Sequence, residues 1–95
     1  MNHLSHLPER REVQYDGAPV ELTKREFDLL HALLLSRNIV LTRGVLLAQV
    51  WGYDYQGETN VVDVYISYLR AKIDDAYGVK LIHTVRGVGY VIKDE

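Results

Sequence analysis

Lys80-Leu81-Ile82-His83-Thr84-Val85-Arg86-Gly87-Val88-Gly89-Tyr90-Val91-Ile92-Lys93 comes soon after a helix-patterned run, Asn60 to Asp75, and the pair predicts a recognition helix with a β-hairpin wing. The tail holds six β-branched residues and two glycines near its middle. Two short strands around a turn with unusual backbone angles have that composition. Across residues 60–73 and 80–93 the charges are Arg70, Lys72, Lys80, Arg86 and Lys93 against Asp63, a net +4. The whole chain carries −2, so the rest carries −6. One face is therefore suited to a polyanion on an otherwise acidic body.

Within the helical run, Val62, Ile66, Leu69 and Ile73 recur at i, i+4, i+7 and i+11, one apolar stripe, and Gly78 marks the stretch where the helix has ended. At about 100° per residue the opposite side carries Asn60, Val64, Ser67, Tyr68 and Ala71. Small apolar and polar groups together suit base edges and thymine methyls in a major groove. Arg70 and Lys72 fall on the flanks, where long cationic side chains reach phosphates. The helix start at Asn60 offers amides and a positive dipole end. Arg86, at the hairpin turn, is placed as an arginine entering a narrow minor groove would be. Tyr65 and Tyr68 add aromatic contact surface, although Tyr65 also suits the edge of the core. Trp51 reads as a core or loop-anchoring residue.

Toward the N-terminus, short alternating bursts from Leu4 to Leu22 are broken by Pro8-Glu9 and by Asp16-Gly17-Ala18-Pro19, which predicts a small antiparallel sheet with an Asp-Gly hairpin turn. Residues 1–3 read as a linker stub or disordered start, 4–93 as one domain and 94–95 as a tail. Thr23-Lys24-Arg25-Glu26 is a capping-box pattern that starts a helix through Phe27, Leu30, Leu33 and Leu34, with Asn38 as a left-handed terminator. Thr42 is the expected N-cap of a second helix, weakened by Gly44 and stopped by Gly52. Gly52 to Thr59 lacks helical periodicity and predicts a loop of about eight residues.

Ninety-five residues at 47% hydrophobic content suffice for one small α+β domain with a single core. No apolar run exceeds four residues, which leaves no candidate membrane span or signal-peptide core. Cysteine is absent, which removes disulfides, thiolate zinc sites and a cysteine nucleophile, and the expected compartment is the cytoplasm. A pI near 6.1 is low for a nucleic-acid binder, and only the local clustering of cations answers it.

Four motifs in order carry a resemblance to a known family: residues 22–30 (LTKREFDLL), 50–53 (VWGY), 59–72 (TNVVDVYISYLRAK) and 84–90 (TVRGVGY). They resemble the OmpR/PhoB-type effector domain, the output half of a two-component response regulator, over roughly Leu4 to Lys93. The resemblance implies a winged helix-turn-helix with an N-terminal antiparallel sheet, three helices and a C-terminal hairpin. It implies that helix 60–75 reads the major groove through Asn60, Val64, Tyr65, Ser67, Tyr68, Arg70 and Lys72, while Thr84, Arg86 and Gly87 of the wing meet the minor groove or backbone. The loop Gly52, Tyr53, Asp54, Tyr55, Gln56, Gly57 and Glu58 looks like the segment that addresses RNA polymerase. Members bind direct-repeat double-stranded DNA as homodimers once a receiver domain, absent here, is phosphorylated. Asp63 matches a position expected to be structural, pairing with a cation of the wing or helix. Some members carry basic residues where this chain has Asn60, Tyr65, Ser67 and Tyr68, so fewer phosphate contacts and weak monomeric binding are expected.

Other functions fit less well. No carboxylate pair, nucleophile with a base, or phosphate loop stands out, so no enzyme, catalytic residue or cofactor is expected. His3 and His6 could hold a metal only adventitiously. His31 reads as a surface or packing residue and His83 as a strand residue. A winged-helix protein-interaction module without DNA binding is the alternative that the acidic balance permits. Double-stranded RNA is disfavoured because its major groove is too narrow for a helix.

Overall fold

The computed structural model describes residues 3–93. Met1 and Asn2 of the expected frayed start, and the tail 94–95, lie outside the described residues. Strands β1 (Leu4–Leu7), β2 (Glu12–Tyr15) and β3 (Ala18–Pro19) form an antiparallel sheet in that order. The β2–β3 turn puts Asp16 at φ 51° and Gly17 at φ 82°, the two positive angles that a tight primed hairpin turn requires. His3, which the sequence placed in a frayed start, is instead held against the first sheet. Its ring stacks on Tyr15 and its Nδ1 lies 2.6 Å from Asp16.

Helix α1 (Lys24–Leu35) starts as predicted. The Thr23 hydroxyl accepts the Glu26 amide at 3.3 Å, and the Glu26 carboxylate accepts the Thr23 amide at 2.8 Å. Its end falls earlier than expected, at Leu35 with Ser36 as cap, while Asn38 takes the left-handed angle (φ 66°) and donates its amide to the Ile92 carbonyl. The left-handed residue thus fixes the return of the chain rather than the helix terminus. His6 of β1 lies 3.3 Å from His31 of α1, and His31 stacks on Phe27, so the N-terminal sheet is seated on this helix. Burial, then the nearby His31 and Arg37, pushes the His6 imidazole below its ordinary pKa.

Strand β4 (Leu41–Thr42) leads into helix α2 (Arg43–Leu46), which continues as a wider π-type stretch, Leu47–Trp51. Thr42 caps it by accepting the Val45 amide at 3.1 Å, and Gly52 (φ 102°) ends it. The loop from Gly52 to Asn60 follows without a regular element, as its composition predicts. Helix α3 (Val61–Leu69) continues through a π-type stretch, Arg70–Asp74, and a last turn, Asp75–Tyr77. It therefore begins one residue after, and ends two residues after, the predicted span, with Gly78 left-handed beyond it. Strands β5 (Ile82–Val85) and β6 (Gly89–Ile92) form the wing, and the second sheet runs β4-β6-β5.

The predicted stripe Val62, Ile66, Leu69 and Ile73 is fully buried against Leu29, Leu30, Leu33, Leu46, Leu81, Ile82 and Ile92. Removing that apolar area from water supplies the main drive for folding.

Candidate nucleic-acid interface

On α3, Asn60, Val64, Ser67, Tyr68 and Ala71 are all exposed. The apolar stripe holds the helix by its other side, so these residues form one outward face, as the periodicity predicts. Asn60 makes no side-chain cap bond, and the Ser67 hydroxyl donates to the Val64 carbonyl, leaving its oxygen lone pairs toward solvent. Tyr65 is half-buried rather than a free contact. It packs edge-on against Trp51 at 5.3 Å and against Tyr68 at 5.3 Å. Trp51 is held in turn by the Arg25 guanidinium, 5.3 Å over its ring, and Arg25 also donates to the Val50 carbonyl. Only Tyr68 of the two tyrosines remains on the open face.

Two residues expected to contact phosphates have partners within the protein. Lys72 places its Nζ 2.6 Å from Oε1 of Glu26, whose residue is 4% exposed. A carboxylate taken out of water demands a partner, and Lys72 is the nearest cation on the packed face. Burial raises the Glu26 carboxyl, but Lys72 and the Thr23 cap pull further and leave it below its ordinary pKa. Arg70 turns inward as well, donating to the Ile82 carbonyl at 3.0 Å and to the Thr84 hydroxyl at 2.7 Å, with its guanidinium 5.7 Å from the Tyr90 ring. Thr84, expected as a wing contact, is thereby Arg70's acceptor. The local excess of positive charge is smaller than the sequence tally, because Glu26 from α1 joins the cluster.

The wing turn is open. Arg86 and Gly87 are exposed, Gly87 has φ 73°, and no hydrogen bond or ion pair holds the Arg86 side chain among the described residues. Asp63 is structural, as expected. Its Oδ1 accepts from Arg43 Nε at 2.8 Å and from the Tyr90 hydroxyl, tying α2, α3 and β6 together. Burial raises the Asp63 carboxyl, yet Tyr90 and Arg43 together bring it below its ordinary value.

A profile described as the C-terminal domain of transcriptional regulatory proteins matches residues 17–92. The chain belongs to this OmpR/PhoB-type family. It is 59% identical over 83 residues to the uncharacterized transcriptional regulatory protein YkoG of Bacillus subtilis, covering 87% of this chain and 36% of that protein. It is 53% identical over 87 residues to the transcriptional regulatory protein PrrA of Mycobacterium tuberculosis, covering 92% and 37%. The chain thus spans a little over a third of the length of these relatives. Among solved structures, the Klebsiella pneumoniae RstA DNA-binding domain, determined in complex with the RstA box, superposes with a TM-score of 0.84 at 36% identity, over 96% of this chain and 91% of that one. The DNA-binding domain of CpxR from E. coli gives 0.85 at 34% identity, over 99% and 93%. The winged-helix fold expected from the motifs is shown.

In this OmpR/PhoB-type domain the loop before α3 is ordered by its own side chains. Tyr55 donates its hydroxyl to the Glu58 carbonyl at 3.2 Å, and its ring is tilted against Trp51. Tyr53, 94% exposed, projects from the loop beside exposed Asp54, Gln56 and Glu58. Sequence reasoning missed Arg43 and Asp74. Arg43 follows the helix cap Thr42, and no local pattern points to its partner Asp63, 20 residues on. Asp74, next to another aspartate, carries no local signal of burial, yet it is buried and accepts the amides of Leu81 and Ile82 at 3.2 Å each.

Proposed function

We propose that this chain binds double-stranded DNA sequence-specifically, as the output domain of a two-component response regulator. The observation that carries this is an exposed polar and small-apolar face on α3, Asn60, Val64, Ser67 and Tyr68, on the same molecule as a wing turn with the unpaired cation Arg86. The face is dimensioned for a major groove, and Arg86 for the adjacent minor groove or backbone. The known complex of RstA with its box supports the reading. The selectivity groups are uncharged, so base readout rests on hydrogen bonding and van der Waals contact while few phosphates are neutralised.

Further proposals concern the whole regulator. The loop Gly52 to Glu58, with Tyr53 at its tip, is a contact for RNA polymerase. The chain pairs as a homodimer on a direct repeat, responds to a phosphorylatable receiver domain, works in the cytoplasm and catalyses no reaction. Among the described residues no helix is long and apolar enough to cross a membrane. Asp54→Lys is expected to reduce transcription activation in a reconstituted assay at unchanged DNA affinity. Equal loss of both would remove the loop from this role.

Selection of bound duplexes from a random pool, at low and moderate salt, tests the main reading. Enrichment of half-sites about one helical turn apart, with log affinity falling by roughly 0.9 per tenfold rise in salt for each phosphate neutralised, is the expected result. Arg86→Ala should weaken all sequences alike, while Ser67→Ala and Tyr68→Ala should change the preferred sequence. No enrichment and no salt-sensitive binding by a folded sample would favour a protein-interaction module, the reading that the net charge of −2 supports.

A further inference from the structure

Asp63, Arg70 and Asp74 stand at i, i+7 and i+11 on α3 and its continuation, within about 40° of one another at 100° per residue. They form a polar stripe beside the apolar one, and all three reach the wing. Asp63 accepts from the Tyr90 hydroxyl of β6. Arg70 donates to the Ile82 carbonyl and Thr84 hydroxyl of β5 and covers the Tyr90 ring. Asp74 Oδ2 accepts the amides of Leu81 and Ile82.

Strand β5 is an outer strand of its sheet, and such a strand leaves one row of backbone groups without a ladder partner. Here the helix supplies partners from side chains one turn apart, a donor for the Ile82 carbonyl and an acceptor for the Ile82 amide. Asp74 is buried with Oδ1 unpartnered, so its carboxyl stays in place at a desolvation cost that its two amide bonds offset in part. The strand so held runs directly into Arg86, four residues beyond Ile82.

We propose that Arg70 and Asp74 are positioning residues that lock the wing to the recognition helix, delivering Arg86 to DNA at a fixed distance from the base-reading face. This rests on the DNA-binding reading. The stripe makes helix and wing one rigid reader, so the two contacts are made together, without the ordering cost of a mobile hairpin. Its consequence is energetic coupling between Arg86 and the stripe.

The test is a double-mutant cycle on the 95-residue chain, using a duplex that the wild type itself enriches from a random pool. Arg86→Ala should weaken wild-type binding by about tenfold, equivalent to ~1.4 kcal/mol. In Asp74→Leu and in Arg70→Met, which keep similar bulk but lose the acceptor of the two amides or the donor to the wing, the same change should cost less than about threefold. Amide exchange at Leu81 and Ile82 should quicken in Asp74→Leu while the buried part of α3 stays protected. An unchanged Arg86→Ala penalty in both folded backgrounds overturns the positioning role. Should Asp74→Leu fail to fold, Arg70→Met carries the test, and failure of both to fold would make the pair residues of the fold alone. A folded wild type that binds no duplex overturns the DNA reading and this inference with it.

Discussion

Lys72→Met is expected to lower the melting temperature by roughly 10 °C or more, and to leave the salt dependence of DNA binding unchanged. Lys72 is the cation facing Glu26, and removing one partner of a buried pair costs about 3–5 kcal/mol because the other charge is left without compensation. The Lys72 side chain is 39% exposed, so water softens the loss to about 2–3 kcal/mol. Glu26 would keep only its capping bonds to Thr23. Adding Glu26→Gln should recover part of the loss, since Gln can still complete the cap without a buried charge.

The pH dependence has a definite sign. The folded Glu26 carboxyl lies below its ordinary value of 4.5, so the pair's contribution is present above that pH and is lost as pH falls through the folded value. The difference between wild type and Lys72→Met should therefore narrow in acid. Thermal denaturation across this range, with DNA titrations at several salt concentrations, checks both halves. Unaltered stability together with a salt slope reduced by about one would return Lys72 to the phosphate-contacting role that its sequence position suggested.

Gly89→Ala should destabilise the domain by about 3 kcal/mol, at the upper end of the cost of overpacking. A Cβ there would lie 2.0 Å from the Leu41 carbonyl oxygen, 2.8 Å from its carbon and 2.9 Å from Thr42 Cα. These are backbone atoms, so no rotamer change relieves the clash. Strand β4 would have to leave β6, giving up the Leu41↔Tyr90 and Thr42↔Gly89 pairing and disturbing Thr42, the cap of α2. Gly87→Ala is the control. Its site is open, and only the positive φ of 73° opposes a side chain, at a cost of about 1–2 kcal/mol. Urea denaturation that places Gly89→Ala within about 0.5 kcal/mol of wild type would show that the β4–β6 approach is slack.

Local signals were legible wherever neighbours in sequence are also the physical partners. The Thr23–Glu26 capping box, the Thr42 cap, the Asp16-Gly17 turn and the left-handed Gly78 each satisfy backbone groups within a few residues, so short patterns suffice to find them. The α3 stripe was legible because burial of one helix side imposes its period on the chain. The exposed face opposite it, and the open wing turn at Arg86 and Gly87, followed from the same arithmetic. Helix ends were less legible. Asn38 has the predicted backbone angle but works for β6, since its amide partner, Ile92, is far along the chain.

By itself the sequence determined the helices and the two hairpins, the apolar side of the recognition helix, the winged-helix order and the family, though not strand β4, because these depend on local hydrogen bonding and on the periodic burial of apolar groups. Only the tertiary structure decided which cations are free. Lys72 meets Glu26 from 46 residues away, Arg70 meets the wing strand 12 and 14 residues on, and Arg43 meets Asp63 across 20. A charge's availability depends on what packing brings within a few ångströms of it, and the Coulomb and desolvation terms that bind it inward act through space. Arg86 alone among the wing-turn and helix-flank cations, Arg70, Lys72 and Arg86, stays unclaimed, because packing brings no acidic side chain among the described residues into a pair with it.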